Sequence, residues 1–187
     1  MMKVAYVLLA VLLSGCASQT IEPSYYLLRS NEDLQSGELN PSKDFSMGNV
    51  IIASYIDQQG LLMETADGEV RTAAHNLWAE PVYEGVRNFL FVEIAQAKGE
   101  DILPSRLSSN TTVIDIRIDQ LHGTRDGKAQ LVAYWWLRRN GEVLSFYRFA
   151  ETQPLNAQGY AALVAAEEVL LTQLAKKIAA SMVATDS

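Results

Sequence analysis

Few residues in this chain have the type and the surroundings to do chemistry. The two histidines, His75 in an expected loop and His122 at an expected strand end, show no spacing that would close a metal site between them. No Gly-x-Ser-x-Gly elbow presents a serine, and no Gly-rich loop ending in Lys and Ser or Thr could cradle a phosphate. Asp115 and Asp119 alternate with Arg117 along a strand pattern, which suits a solvated face better than an acid/base pair. What remains is sulfur. Cys16 is the only cysteine of 187 residues, and a lone thiol is an odd residue to keep in an oxidising compartment unless something consumes it. Its surroundings point to such a compartment. Met1-Met2-Lys3 is followed by an unbroken apolar run, Val4 to Leu13, and then by Ser14 and Gly15. Ten apolar residues rise only ~15 Å as a helix, too short to cross a bilayer core of about 20 residues. The run reads as an export signal that is later removed.

The order Leu13-Ser14-Gly15-Cys16 resembles the lipobox of bacterial lipoproteins. That resemblance implies cleavage before Cys16 and acylation of its sulfur. Residues 1–15 are then a lipoprotein signal peptide, 16–24 a lipidated N-terminus and tether, and 25–187 the folded domain. The alternative is an ordinary signal whose small residues happen to precede a cysteine, and the solitary status of Cys16 argues against it. Two or more acyl chains, at ~0.8 kcal/mol per buried methylene, hold a protein durably at a membrane. Eight tether residues extend at most ~28 Å, so the domain stays near its leaflet. Ala17, not Asp, follows the cysteine. By resemblance to enteric-type lipoproteins this implies an outer-membrane anchor facing the periplasm. Beyond the covalent lipid on Cys16 no cofactor and no metal is expected.

Removal of residues 1–15 takes Lys3 and leaves 14 Lys+Arg against 22 Asp+Glu, a net charge of −8 over 172 residues. That length supports one domain with a substantial core. The acidity excludes nucleic acid as a natural partner, and it sets the domain as a whole against anionic lipid, so that the acyl group must do the holding.

The elements follow from periodicity. Ser24 to Leu28 reads as a first strand, and the polar stretch Ser30 to Asp44 as a loop. Val50 to Ile56 is nearly continuous in apolar residues, as for a strand covered on both faces. Leu61–Thr65 and Glu69–Thr72 flank Asp67-Gly68, a hairpin signal. At His75–Pro81 the period changes. Pro81 suits a first helical turn, and Val82, Val86, Phe89, Leu90 and Ile94 form one helical stripe ending near Ala97, before Gly99. From Thr111 the period returns to two, and a three-stranded meander turns at Asp126-Gly127 and Asn140-Gly141. A last helix spans Ala157 to about Val183, with Asn156 as its cap and Glu167 and Glu168 toward its favourable end.

Two helical stripes and a sheet must cover each other. The expected fold is a single α/β domain: a mixed β-sheet of about six strands with two long helices packed on it. The strands Val50–Ile56 and Ala129–Leu137 should be central, and whether the helices share a face is open. Trp135 and Trp136 point to opposite faces of one strand; full helical cover would bury both, which is the favoured reading, whereas an open face would leave one as a contact surface or a lipid-facing patch.

Four features in this order carry a family resemblance: the Leu13–Cys16 motif, the Tyr25-Tyr26-Leu27-Leu28 strand, the strand ending in Tyr55-Ile56-Asp57, and Trp78-Ala79-Glu80-Pro81 opening a helix. Together they resemble the ABC-type transport auxiliary lipoproteins. The last helix, with Tyr160–Val164 and Lys177-Ile178-Ala179, is similar to theirs as well. Leu77 stands before Trp78 where family members often have Arg, and Gln58-Gln59-Gly60 follows Asp57 where they often have Arg-Pro-Gln. The resemblance implies a non-enzymatic accessory of an envelope transport system containing MCE-domain proteins, which moves lipids or other hydrophobic molecules between membranes. Its partners would be an MCE-domain protein and, through the lipid, the membrane; a homo-oligomer is compatible with hexameric MCE assemblies.

Trp78, Glu80 and Pro81 are the candidate partner contacts, since Trp favours interface centres. A Trp before a helix more often packs back as a staple, and a carboxylate there is stabilised by the dipole. Rival readings are an assembly lipoprotein of another envelope machine and, from a different class, direct lipid carriage.

Overall fold

The computed structural model describes residues 21–30, 38–66 and 68–183. Leu13, Ser14, Gly15 and Cys16 lie outside these residues, as do most of the expected tether, positions 31–37 of the expected loop, and Asp67 of the expected hairpin turn.

Seven strands form one mixed sheet. They are β1 (Ser24–Tyr26), β2 (Phe45–Ile52), β3 (Gly60–Ala66), β4 (Glu69–Trp78), β5 (Thr112–Gly123), β6 (Lys128–Arg139) and β7 (Glu142–Pro154). The helices are α1 (Val82–Lys98) and α2 (Tyr160–Ser181). The path through the sheet is β1-β4-β3-β5-β6-β7, and β2 also pairs with β5. β5 pairs with β2 along Thr112–Ile118 and with β3 only where Met63 meets Gly123, so β2 and β3 succeed each other along one of its edges.

The meander forms as the turn chemistry requires. Asn140 and Gly141 both have positive φ, 52° and 87°, the conformation a two-residue type I′ turn needs. The first helix also ends where expected. Gly99 adopts φ 78°, and its N–H caps the carbonyls of Ala95 and Gln96, a left-handed position that glycine occupies without penalty.

Several expectations are corrected. The apolar run 50–56 is not one strand: β2 starts earlier, at Phe45, and ends at Ile52, after which the N–H of Ile56 turns back to the carbonyl of Ala53. Nor is β2 central. Its second edge carries only a short contact with the loop before β5, where Met47 N–H reaches the carbonyl of Leu103. The central strand is β5, whose two-residue alternation understated its cover. His75 lies exposed within β4, not in a loop, because β4 continues to Trp78. Pro81 precedes the helix as its N-cap residue, with the N–H groups of Glu84 and Gly85 bonded to its carbonyl. α2 starts at Tyr160, three residues later than its Asn156 cap would allow, and Gly159 occupies the N-cap at φ 101°.

Both helices lie on one face of the sheet. Ile114, Ile116 and Ile118 of β5 and Leu131, Ala133 and Trp135 of β6 are buried beneath them. Trp135 fixes the side, because its indole N–H donates to Ser181 Oγ at the end of α2, 3.0 Å away. α1 packs beside α2, and Lys98 Nζ joins their ends by donating to the Met182 carbonyl at 2.8 Å. Each fully buried Leu, Ile or Phe in this layer contributes ~1.5–3 kcal/mol of transfer free energy. The chain after β1 crosses the helix layer: Leu28 is buried, Arg29 N–H donates to Glu168 Oε1 (3.3 Å), and Ser30 Oγ donates to Glu93 Oε1 (2.6 Å).

The opposite face is open, so the expectation that both tryptophans are buried fails for one of them. Trp136 is half-buried there and stacks at 5.9 Å on Phe146, which in turn stacks at 5.9 Å on Tyr134. The expected Asp115-Arg117-Asp119 solvated face is likewise divided. Arg117 pairs with Asp119 at 2.6 Å in solvent, whereas Asp115 is only 2 % exposed and is paired with Arg138.

Candidate functional site

The two most distinctive stretches of the sequence meet in space. The Tyr55–Gln59 turn lies against the end of β4, where Trp78 N–H donates to the carbonyl of Gln59 at 2.6 Å and Ala79 N–H to that of Tyr26 at 2.8 Å. β1, β4 and the turn thus converge on the start of α1. Between them is a shallow cleft of about 340 Å³, lined by Asp57, Gln58, Gln59 and the run Trp78–Val82.

The three candidate contacts take different places in it. Trp78 is 7 % exposed, belongs to the core and lines the cleft. Pro81 is exposed on the rim. Glu80 is held by Arg29 through two bonds, Nη1 to Oε1 at 2.6 Å and Nη2 to Oε2 at 3.3 Å. The Arg29 hydrogen bond lowers the Glu80 pKa below its ordinary value, and the same bond raises that of Arg29. Because the Arg29 side chain is 54 % exposed, solvent screens the pair. Arg29→Ala should therefore lower stability by no more than ~1 kcal/mol in urea denaturation, and a larger loss would show that the pair organises the crossing segment.

The cleft holds no nucleophile beside a base, and among the described residues no group of three His, Cys, Asp or Glu side chains could hold a metal. His122 is buried, with Nδ1 3.1 Å from the Gly123 carbonyl. What this arrangement offers is a binding surface with a fixed floor and a charged rim.

Residues 25–179 match the family described as the ABC-type transport auxiliary lipoprotein component. The chain belongs to this family. Among curated proteins, this auxiliary lipoprotein is similar to the intermembrane transport lipoprotein PqiC of Escherichia coli (strain K12), with 28% identity over 143 residues, 72% of this chain and 73% of that protein. The PqiC of Shigella flexneri matches equally. Among solved structures, the auxiliary lipoprotein fold is similar to an uncharacterized protein with a TM-score of 0.75 at 21% identity, over 87% of this chain and 100% of the other. It is also similar to protein XCC0632 from Xanthomonas campestris, with a TM-score of 0.64 at 16% identity, over 83% and 92%. These two likenesses show the fold.

One surface of this auxiliary lipoprotein, the aromatic strip on the open sheet face, is offered by the sequence only as the alternative to burial of both Trp135 and Trp136. Its signal was present in β6, where Val132, Tyr134 and Trp136 fill the parity opposite to Leu131, Ala133 and Trp135. Apolar residues on both parities suit a strand covered twice, and they suit equally a strand with one face reserved for a contact.

Proposed function

We propose that this protein is a lipid-anchored periplasmic accessory of an MCE-type envelope transport system, held at the outer membrane through Cys16. It acts by docking or placing the MCE component there, and Trp78, Glu80 and Pro81 contribute the contact. The observation that carries this reading is the family match across 25–179 together with the likeness to an intermembrane transport lipoprotein over most of its length. The Leu13–Cys16 motif supports the anchor. A tether keeps the domain at high local concentration near one leaflet, so even a weak cleft contact is occupied. No helix among the described residues is long and apolar enough to cross a membrane, which leaves the holding to the lipid. Such an accessory needs no chemistry of its own.

The test is affinity purification of the tagged, lipidated protein from native membranes. An MCE-domain protein should co-purify, and Cys16→Ala should lose outer-membrane fractionation and transport function. Recovery of a different envelope machine without any MCE protein would favour the assembly-lipoprotein alternative, and full function of Cys16→Ala would overturn the tether.

A further inference from the structure

β7 closes one side of the sheet as an edge strand. It pairs with β6 and, among the described residues, with no other strand. Every second residue of an antiparallel edge strand turns its N–H and C=O away from the ladder, so β7 presents a row of backbone donors and acceptors along its outer side. Proteins blunt such edges with bulges, prolines, lysines or short strands. Here the blunting devices stand only at the two ends. One is the register shift that leaves Leu144 without an opposite residue, and the other is Pro154. Between them the pairing runs unbroken from Ser145 to Gln153, about 30 Å of regular edge, and this stretch holds no Lys and no Pro. The edge of β4 that β1 leaves uncovered differs. It is interrupted by register shifts against β3 and carries the Glu69–Arg71 ion pair.

The side chains beside the β7 edge specify what would lie along it. On the open face of the sheet they are Phe146, Arg148, Ala150 and Thr152, all exposed. Phe146 is 62% exposed and stacks on Trp136. Arg148 stands opposite Tyr134, and no carboxylate among the described residues pairs with it. A strand added here would set its own side chains next to these, one for one. It satisfies both if it brings an apolar residue beside Phe146 and a carboxylate beside Arg148, two positions apart. A second copy of this chain does not supply that pair. Two β7 edges can pair symmetrically only as antiparallel strands, residues of one face against residues of the same face. The two carboxylates of β7, Glu142 opposite Arg139 and Glu151 opposite Leu131, take the helix-covered face, so neither is set beside Arg148.

We propose that the Ser145–Gln153 edge of β7 is a docking site for a β-strand of a partner protein, one that carries an apolar residue and a carboxylate two positions apart. Backbone hydrogen bonds along the edge supply affinity, and the Phe146 and Arg148 positions supply register and choice of partner. The edge lies on the opposite side of the sheet from β1 and β4, so this contact is separate from the cleft at 78–82.

Site-directed photo-cross-linking in cells that make the full-length protein tests the contact. A photoreactive phenylalanine derivative replaces Phe146, Ala150 or Thr152 in turn, and the cross-linked peptides are sequenced by mass spectrometry. The three positions should mark one segment of one protein, at sites that move by four and then by two residues, the stepping of strand against strand. That segment should carry the apolar and acidic pair. Arg148→Glu, at an exposed position outside the core, should lower the yield from Ala150 about fivefold. Cross-links to lipid, to a second copy of this chain, to scattered proteins or to a helix-spaced set of sites would each overturn the proposal, as would no cross-link at all or a yield that Arg148→Glu leaves unchanged. Its failure leaves the transport reading intact, because that reading is judged by co-purification.

Discussion

Glu167→Leu is expected to stabilise the protein strongly at alkaline pH and much less at acidic pH. Glu167 lies in the second turn of α2, 2 % exposed, between Leu163 and Leu170–Leu171, which are fully buried, and its Oε2 has no hydrogen-bond partner. Burial, and secondarily the charge of neighbouring Glu168, push its pKa from 4.5 up to about 8. The folded protein thus keeps the proton at neutral pH, while the unfolded chain releases it near 4.5. A group whose pKa is raised by folding contributes fully below its unfolded pKa, and that contribution is lost as pH rises through the folded value. The window for Glu167 is therefore from about 4.5 to about 8. At ~1.4 kcal/mol per pH unit the gap sets a ceiling of ~5 kcal/mol, which rearrangement or water entry at high pH would reduce. Leucine ionises nowhere and matches its apolar neighbours. Urea denaturation of wild type and Glu167→Leu at pH 5 and pH 9 should show the variant's advantage growing by several kcal/mol between them. Glu167→Gln should show the same growth with a smaller absolute gain, because it keeps a buried polar group. An advantage of equal size at both pH values would mean that Glu167 does not retain its proton.

Glu167 also shows where sequence and structure diverge. A carboxylate early in a helix is what the dipole prefers, and nothing local distinguishes it from Glu168. Its burial comes from the position of α2 against both α1 and the sheet, a tertiary fact. The elements with strong local signals behaved otherwise: the α1 stripe, the Gly99 stop and the Asn140-Gly141 turn were all legible, since each is fixed by steric rules within a few residues. β2 was not, because an apolar run does not report where the backbone turns away from its partner. The open face was illegible for a similar reason. Alternation establishes two faces on β6 but says nothing of how many the helices cover.

The same limit applies to the candidate site. Trp78-Ala79-Glu80-Pro81 could be singled out in the sequence, and so could Tyr55-Ile56-Asp57, but their meeting in one cleft depends on β4 running on to Trp78 beside the turn after β2. That geometry divides the motif. Trp78 is buried in the core, whereas Pro81 is exposed and Glu80 is partly exposed, so substitutions at the rim separate docking from stability in a way that Trp78→Ala cannot. Trp78→Ala removes a buried ring and is expected to cost ~3–5 kcal/mol, which would confound any loss of partner binding.

Asp115→Ala should destabilise the protein by ~3 kcal/mol or more and Gly48→Ala by ~1–3 kcal/mol, and the two effects should not add. Asp115 is the buried carboxylate of β5, on the face opposite the helices, beside the register shift of β2 between Met47 and Val50. Its Oδ1 accepts the N–H of Asn49 at 2.7 Å, a backbone donor that the shift removes from the ladder, and its Oδ2 accepts Arg138 Nε at 2.5 Å. Truncation to alanine leaves the Asn49 donor and the guanidinium without that partner. Removing one member of a buried pair costs ~3–5 kcal/mol, and the Arg138 side chain, 33% exposed, can rehydrate and bring the loss toward the lower end. Gly48 is required by the same contact. A Cβ there would stand 2.2 Å from Asp115 Oδ1 and 2.6 Å from Val113 Cγ1, so Gly48→Ala must displace the carboxylate or the strand, at ~1–3 kcal/mol for overpacking. With Asp115→Ala in place the carboxylate clash is gone and only the valine contact remains. The double variant should therefore be more stable than the sum of the single losses by ~0.5–3 kcal/mol, the range for residues in direct contact. A thermodynamic cycle in urea measures this coupling, and strictly additive losses would mean that Gly48 is kept for the close approach of Val113 and not for Asp115.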